Sequence, residues 1–344
     1  MVIETVTTNR ISRKRSHFFL ITGLLVSLFV LILCLVLSLT YGAADISLSQ
    51  VCSGLIAFDG SIEHLIIRTV RLPRSLIAIL VGAAIAVAGT LMQGLTRNPL
   101  ADPGILGINA GATMAVVMTS VIFGTSSASV YAWCAFLGAG VTAVIVYLLG
   151  SLGRGGMTPL NITIAGAALT AFLSSITTGI LILSQKTLDE IRFWLAGSVA
   201  GSDLTLFLQV LPYMVIGLAI AFALSKPITT LSLGEDVARG LGQRTAWVKV
   251  TAAISVVLLA GSSVAAADPI GFISLVVPHI VRFFVGFDYR WILPYSPIFG
   301  AILLLVADIA ARLLIKPQEL PVGVMTALFG TPFFIYLARW KVKR

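Results

Sequence analysis

Charge is scarce in this sequence. Only 11% of its 344 residues are Asp, Glu, Lys or Arg, against about a quarter in an ordinary soluble domain. At 58% hydrophobic, such a chain would expose large sticky patches in water. That excludes a free globular protein and makes the bilayer its solvent. Histidine and cysteine are equally sparse, at three each. His17, His64 and His279 lie far apart, and Cys34, Cys52 and Cys134 lack metal-ligand or redox spacing. Several catalytic signatures are missing as well. There is no Gly-Lys pair and so no phosphate-binding loop of the usual form. There is no G-x-S-x-G elbow and no H-E-x-x-H pair. An enzyme reading has no site to rest on. Acidic residues inside apolar runs are few, Asp308 being the clearest. A carrier driven by an ion gradient would bury carboxylates at midplane, so energy for uphill movement is expected from a partner. The longest polar stretch, Ser225 to Lys249, is too short to fold alone. We therefore expect a single membrane domain over 1–344.

What is present is a series of apolar runs with short polar or Gly/Pro punctuation. A spanning helix needs about 20 apolar residues, and ten runs qualify as helices. They are Phe18 to Thr40, Leu72 to Leu95, Ile105 to Phe123, Tyr131 to Leu149, Leu160 to Leu183, Leu204 to Leu224, Val248 to Ala266, Ile273 to Phe287, Tyr295 to Ile315, and Val322 to Trp340. Leu188 to Gly197 reads as a short interfacial helix. The basic start before Phe18 resembles a signal peptide, and Leu31 to Cys34 faintly resembles a lipoprotein site. The apolar core is too long for either and lacks small residues before Cys34, so we expect a retained first helix.

The formal charge of +9 fits topology better than nucleic-acid binding. With the N-terminus inside and each helix crossing once, sixteen of the 23 Lys and Arg residues fall on the inner side. The positive-inside rule then places both termini in the cytoplasm, with an N-terminal tail of about 1–16. Small residues crowd several helices, as in Gly82 to Gly89, Gly138 to Gly140 and Ala165 to Ala168. In lipid they let backbones approach closely. Asn98 to Gly104, Asp268 to Gly271 and Val277-Pro278 interrupt the helices. Broken backbone at membrane depth belongs inside protein or beside water, and paired breaks suggest two halves around a path.

Two polar regions invite partners. Arg68, Arg71 and Arg74 sit three apart on the outer side, so they share a face if a helical turn runs back through them. Such arginines serve as membrane anchors or as bidentate receptors for an acidic partner. Asp308 and Arg312 are spaced to form an ion pair. On the inner side, Leu233, Val237 and Leu241 recur every four residues through Gly234 to Gly242, with Glu235 and Arg239 as an i,i+4 pair. That is a short amphipathic helix, which suits lipid or a cytosolic subunit.

Several segments together resemble the iron-siderophore, haem and vitamin B12 ABC permease family. They are Arg71 to Arg74, Gly82 to Gln93, Asn98 to Pro103 with Leu106-Gly107, Trp194 to Ser198, Pro269 to Ile273, Pro278 to Arg282, Ala307 to Arg312, and Glu319 to Gly323. The likeness runs from about residue 65 to the C-terminus. It implies an all-α polytopic protein with about ten helices, the type II importer fold, in the bacterial inner membrane. It implies a second permease subunit, two cytoplasmic ATPase subunits that hold ATP and magnesium, and an external solute-binding protein. No cofactor is expected on this chain. By resemblance, Arg71, Arg74 and Arg312 dock the binding protein, Asn98 and Leu100 form a cytoplasmic gate, and Glu235, Arg239 and Gly242 couple to the ATPase through a loop at about 225–248. The loop Ser151 to Leu160, with Arg154, Gly155 and Gly156, departs from the second gate of the vitamin B12 importer. A ferric siderophore is the expected cargo, moved by alternating access. Haem or vitamin B12 is the alternative cargo, and an ion-gradient carrier is the alternative of another class.

Overall fold

The computed structural model describes residues 17–42, 46–124, 127–152, 158–201, 204–316 and 318–342, and every regular element among them is helical. In chain order these are α1 (His17–Thr40), α2 (Leu48–Ile56), α3 (Ile62–Leu65), a π turn (Ile66–Arg71), and α4 (Leu72–Thr96). A 3-10 turn (Pro103–Leu106) precedes α5 (Ile108–Phe123), α6 (Ala128–Ser151), α7 (Pro159–Leu183) and α8 (Gln185–Leu195). Then come α9 (Leu204–Ala223), α10 (Ser225–Ser232), α11 (Glu235–Gly240) and α12 (Thr245–Ala267). The last three are α13 (Ile273–Val285), α14 (Tyr289–Leu313) and α15 (Val322–Val342).

Seven helical stretches are long and apolar enough to cross a membrane, and α5, α13 and Val322–Tyr336 of α15 are shorter apolar helices. That gives the ten expected. The 13 residues of α13 extend about 20 Å, short of the roughly 30 Å hydrocarbon core. The non-helical residues 268–271 lead into it.

Helix α4 is the axis. From Pro73 to Thr96 it is buried almost continuously, and α14, α12, α13 and α9 pack around it. Its glycines explain how. A Cβ on Gly82 would enter the Gly300 carbonyl of α14, and one on Gly300 would enter that of Gly82. Further down, a Cβ on Gly89 would enter the backbone of Ser274 on α13. Backbones touch here as they do at small-residue interfaces in lipid. Thr90 and Ser296 add an α4–α14 hydrogen bond at 2.8 Å, and Ser255 on α12 donates to Gly217 O on α9 at 2.7 Å. Helix α1 packs on α14 and exposes most of its length, from Phe18 to Leu37. Lipid accepts such a face.

The structure corrects several expected boundaries. Helix α14 begins at Tyr289, six residues before the expected Tyr295, and runs through Pro294 and Pro297. Neighbouring helices in lipid can satisfy the carbonyls that a proline frees. Ile105 falls in the 3-10 turn, and Gly107 at φ +71° breaks the chain before α5. Gly286, at φ +86°, ends α13 before Phe287.

Candidate functional site

Polar side chains gather at three places, and α4 links two of them. At its N-terminal end Arg71 and Arg74 meet Arg312 of α14 around one cavity. The helix continues back through the π turn to α3, so the turn does extend through Arg68 and Arg71. Arg68, Arg71 and Arg74 each take a different set of partners. Arg68 donates to Gly54 O at 2.7 Å and lies over the Phe58 ring. Arg71 donates to Leu39 O and Thr40 O at 2.6 and 2.7 Å. Arg74 grips Asp308 Oδ1 with Nε and Nη2 at 3.0 and 2.8 Å, and Glu319 Oε2 with Nη1 at 2.6 Å.

Arg312 completes the cluster from α14. It meets Asp308 Oδ2 at 3.0 Å and donates to Ser38 O, Ser38 Oγ and Tyr41 O. Ser38 in turn shares a hydrogen bond with Ser75. Asp308 is fully buried between two guanidiniums, so the expected Asp308–Arg312 pair exists within a larger network. Arg71, Arg74 and Arg312 are only 5%, 8% and 3% exposed. A partner reaches their charge only by replacing a group already there. A cavity of about 150 Å³ opens onto all three arginines and Glu319.

At the C-terminal end of α4 lies the broken segment. Asn98 Oδ1 accepts from Leu100 N at 3.0 Å, which makes the local turn. Asn98 and Leu100 both face outward. The segment is pinned to α13 at Pro99, between them, and at Asp102, beyond Leu100. His279 Nε2 bonds Pro99 O at 2.9 Å; a carbonyl only accepts, so Nε2 carries the proton. Asp102 accepts from Gly104 N at 2.6 Å and from Ser274 Oγ in a short bond. Asp102 and Ser274 were not singled out in the sequence, because 172 residues separate them and neither spacing nor composition joins them.

The third cluster is the loop at 225–248. Glu235 receives Lys249 Nζ at 2.7 Å and Arg239 Nη2 at 2.8 Å, and Thr245 Oγ1 donates to it as well. The Lys249 hydrogen bond, with Arg239 behind it, holds the Glu235 carboxyl below its ordinary range. Gly242, at φ +80° with open space around it, turns the chain out of α11. Leu233, Val237 and Leu241 are 68%, 49% and 70% exposed, so much of the apolar stripe is left uncovered by the described residues. The amphipathic helix is shorter than expected, six residues, and α10 precedes it. Arg154, Gly155 and Gly156 lie outside the described residues, as does the tail 1–16.

Among the described residues no group of three His, Cys, Asp or Glu could hold a metal ion. The described residues thus hold an ionic network at one end of α4, a pinned break at its other end, and an exposed apolar stripe beside that break.

Known proteins share this plan. The model of the FecCD transport family matches residues 30–340. A Bacillus subtilis permease protein assigned to a siderophore transport system is 51% identical over 312 residues, covering 91% of this chain and 94% of that protein. The B. subtilis iron(3+)-hydroxamate import system permease protein FhuB is 46% identical, over 90% of this chain and 81% of its own length. A solved structure assigned to a metal-chelate type ABC transporter, in an inward-facing conformation, superposes with a TM-score of 0.80 at 28% identity, over 93% of this chain and 99% of that one. The ten apolar helices and this near full-length match together establish a multi-pass membrane permease that belongs to the FecCD transport family.

Proposed function

We propose that this chain is the membrane-spanning permease of a binding-protein-dependent ABC importer that carries an iron(III)-siderophore into the cytoplasm. The observation that carries the reading is likeness over nearly the whole length to permease proteins named for siderophore, iron(3+)-hydroxamate and Fe(3+)-citrate import. The geometry agrees with it. One buried helix joins the arginine cluster to the broken segment.

In this reading an acidic lobe of the external binding protein docks on Arg71, Arg74 and Arg312. Two cytoplasmic ATPases seat the exposed stripe of α11 in their grooves and close on ATP. A second permease subunit completes the pathway. Asn98 and Leu100 gate its inner mouth, while Glu235, Arg239 and Gly242 shape the coupling loop. Both termini face the cytoplasm. ATP and magnesium stay on the ATPases.

The test is uptake of radiolabelled ferric siderophore by iron-starved cells that lack this gene. Uptake should fall, return with the gene, and stop when ATP is drained. Gene-dependent uptake that survives ATP depletion and collapses with the ion gradient would overturn the reading. So would uptake of haem or a cobalamin in place of the siderophore, for the cargo.

A further inference from the structure

A cavity on the inner face borders the Asn98–Leu100 segment through Pro99 and the coupling stripe through Leu233. It holds about 610 Å³ between the end of α4, the start of the coupling loop and α13, and Gln93, Arg97, Ser232, His279, Arg282 and Tyr289 are among its walls. No acidic residue lines it. Arg282 donates to Gln93 Oε1 at 2.6 Å and to Tyr289 OH at 3.2 Å, both neutral acceptors. Arg97 is exposed and has neither hydrogen bond nor ion pair among the described residues. Two guanidinium charges thus share one concave site with no carboxylate to balance them.

The backbone marks the same residue. Arg97 caps α4 at φ +52°, in the left-handed region that glycine or asparagine ordinarily fills. An arginine kept there bears a conformational cost that no hydrogen bond or ion pair of its own among the described residues offsets. Its guanidinium lies 3.9 Å from where a Cβ on Gly234 would stand, at the base of α11. The rim beside it is apolar and exposed, with Leu233 at 68% and Phe287 at 81%. Arginine flanked by exposed large apolar groups is the composition of an interface hot spot.

We infer that this cavity receives an acidic side chain of the cytoplasmic ATPase subunit, with Arg97 as its principal ligand and Arg282 behind it. The inference rests on the importer reading above. Charge complementarity selects a carboxylate. The position against Gly234, continuous with the outward-facing Leu233, Val237 and Leu241, selects the protein that seats on that stripe. Docking there would tie the end of α4 to the ATPase directly, in addition to the coupling loop.

The test is the affinity of the purified cognate ATPase for the permease complex in nanodiscs, measured across sodium chloride concentrations. Arg97→Gly is the informative variant, because glycine suits the left-handed backbone and removes only the side chain. It should weaken association about tenfold or more and flatten the salt dependence, with the melting temperature of the permease unchanged or raised. Arg97→Glu should weaken it further, and exchange of one ATPase acid for lysine should restore binding to Arg97→Glu alone. Val237→Asp, on the apolar stripe, is the control. If it lowers affinity while Arg97→Gly and Arg97→Glu do not, this inference falls and the importer reading stands. If neither site matters, the ATPase partnership itself is overturned. If the Arg97 variants lose only bound anionic lipid, seen by native mass spectrometry, the cavity is a headgroup site and the inference is wrong.

Discussion

Arg74 Nη1 and Glu319 Oε2 stand 2.6 Å apart across 245 residues of sequence. Arg74 is nearly buried, while the Glu319 side chain is 32% exposed at the mouth. Glu319 therefore occupies the place where an incoming carboxylate would reach this arginine. Glu319→Gln should strengthen association with the external binding protein by up to about fivefold, the worth of a partly exposed ion pair. Arg74→Glu should abolish it at every salt concentration. Binding of the labelled protein to nanodisc-held permease reads both. An unchanged affinity in Arg74→Glu would remove Arg74 from the docking set.

Asp308 lies fully buried between Arg74 and Arg312. Asp308→Asn leaves two buried guanidiniums sharing one fewer negative charge. Breaking a buried pair this way costs about 3–5 kcal/mol. We expect a lower folded yield and a clearly lower melting temperature in detergent. Arg312→Met in the same background should recover part of the loss, since it removes the orphaned charge.

Gly82 and Gly300 touch through backbone atoms, so neither admits a Cβ in place. Gly82→Ala should destabilise by about 1–3 kcal/mol through overpacking, and Gly300→Val by more. Gly179, with open space around it on α7, is the matched control, and Gly179→Ala should fold as well as the parent. Detergent melting curves compare the three.

Glu235 is held below its ordinary carboxylate range by Lys249 and then Arg239. A depressed folded value means that the native state binds fewer protons than the unfolded one. The stabilisation is thus present above the ordinary value of about 4.3 and is lost as pH falls through the lower folded value. Glu235→Gln should lower the melting temperature at pH 7.5, and the gap to the parent should narrow as pH falls below the ordinary carboxylate value. A gap that persists in acid would mean the carboxylate charge is not what holds the loop.

Much of the span pattern was legible because a bilayer demands long apolar runs. All ten runs correspond to helices, and Arg71, Arg74 and Arg312 do gather at one mouth. The misses have separate causes. Helices α2 and α3 lie in a stretch, Leu48 to Leu65, whose mixed polarity carries no span signal; Ser47 and Ser61 cap them, a cue visible only once a helix is suspected. The expected start of α14 at Tyr295 was six residues late, because the helix runs through Pro294 from Tyr289. The Arg74–Glu319 and Asp102–Ser274 contacts join distant segments, and only the packed bundle brings them together.

The glycine contact of α4 with α14 has a mechanical consequence. Arg74 stands near the head of one helix, Asp308 and Arg312 near the end of the other, and below them two backbones interlock without side chains between. Neither rod can slide past its neighbour or roll without forcing carbonyls into α-carbons. A force applied at the mouth is therefore borne by both as one stiff beam. From Arg74 to Gly94 that beam is about 30 Å long, and a tilt of a few degrees at one end sweeps the other through the width of an atom.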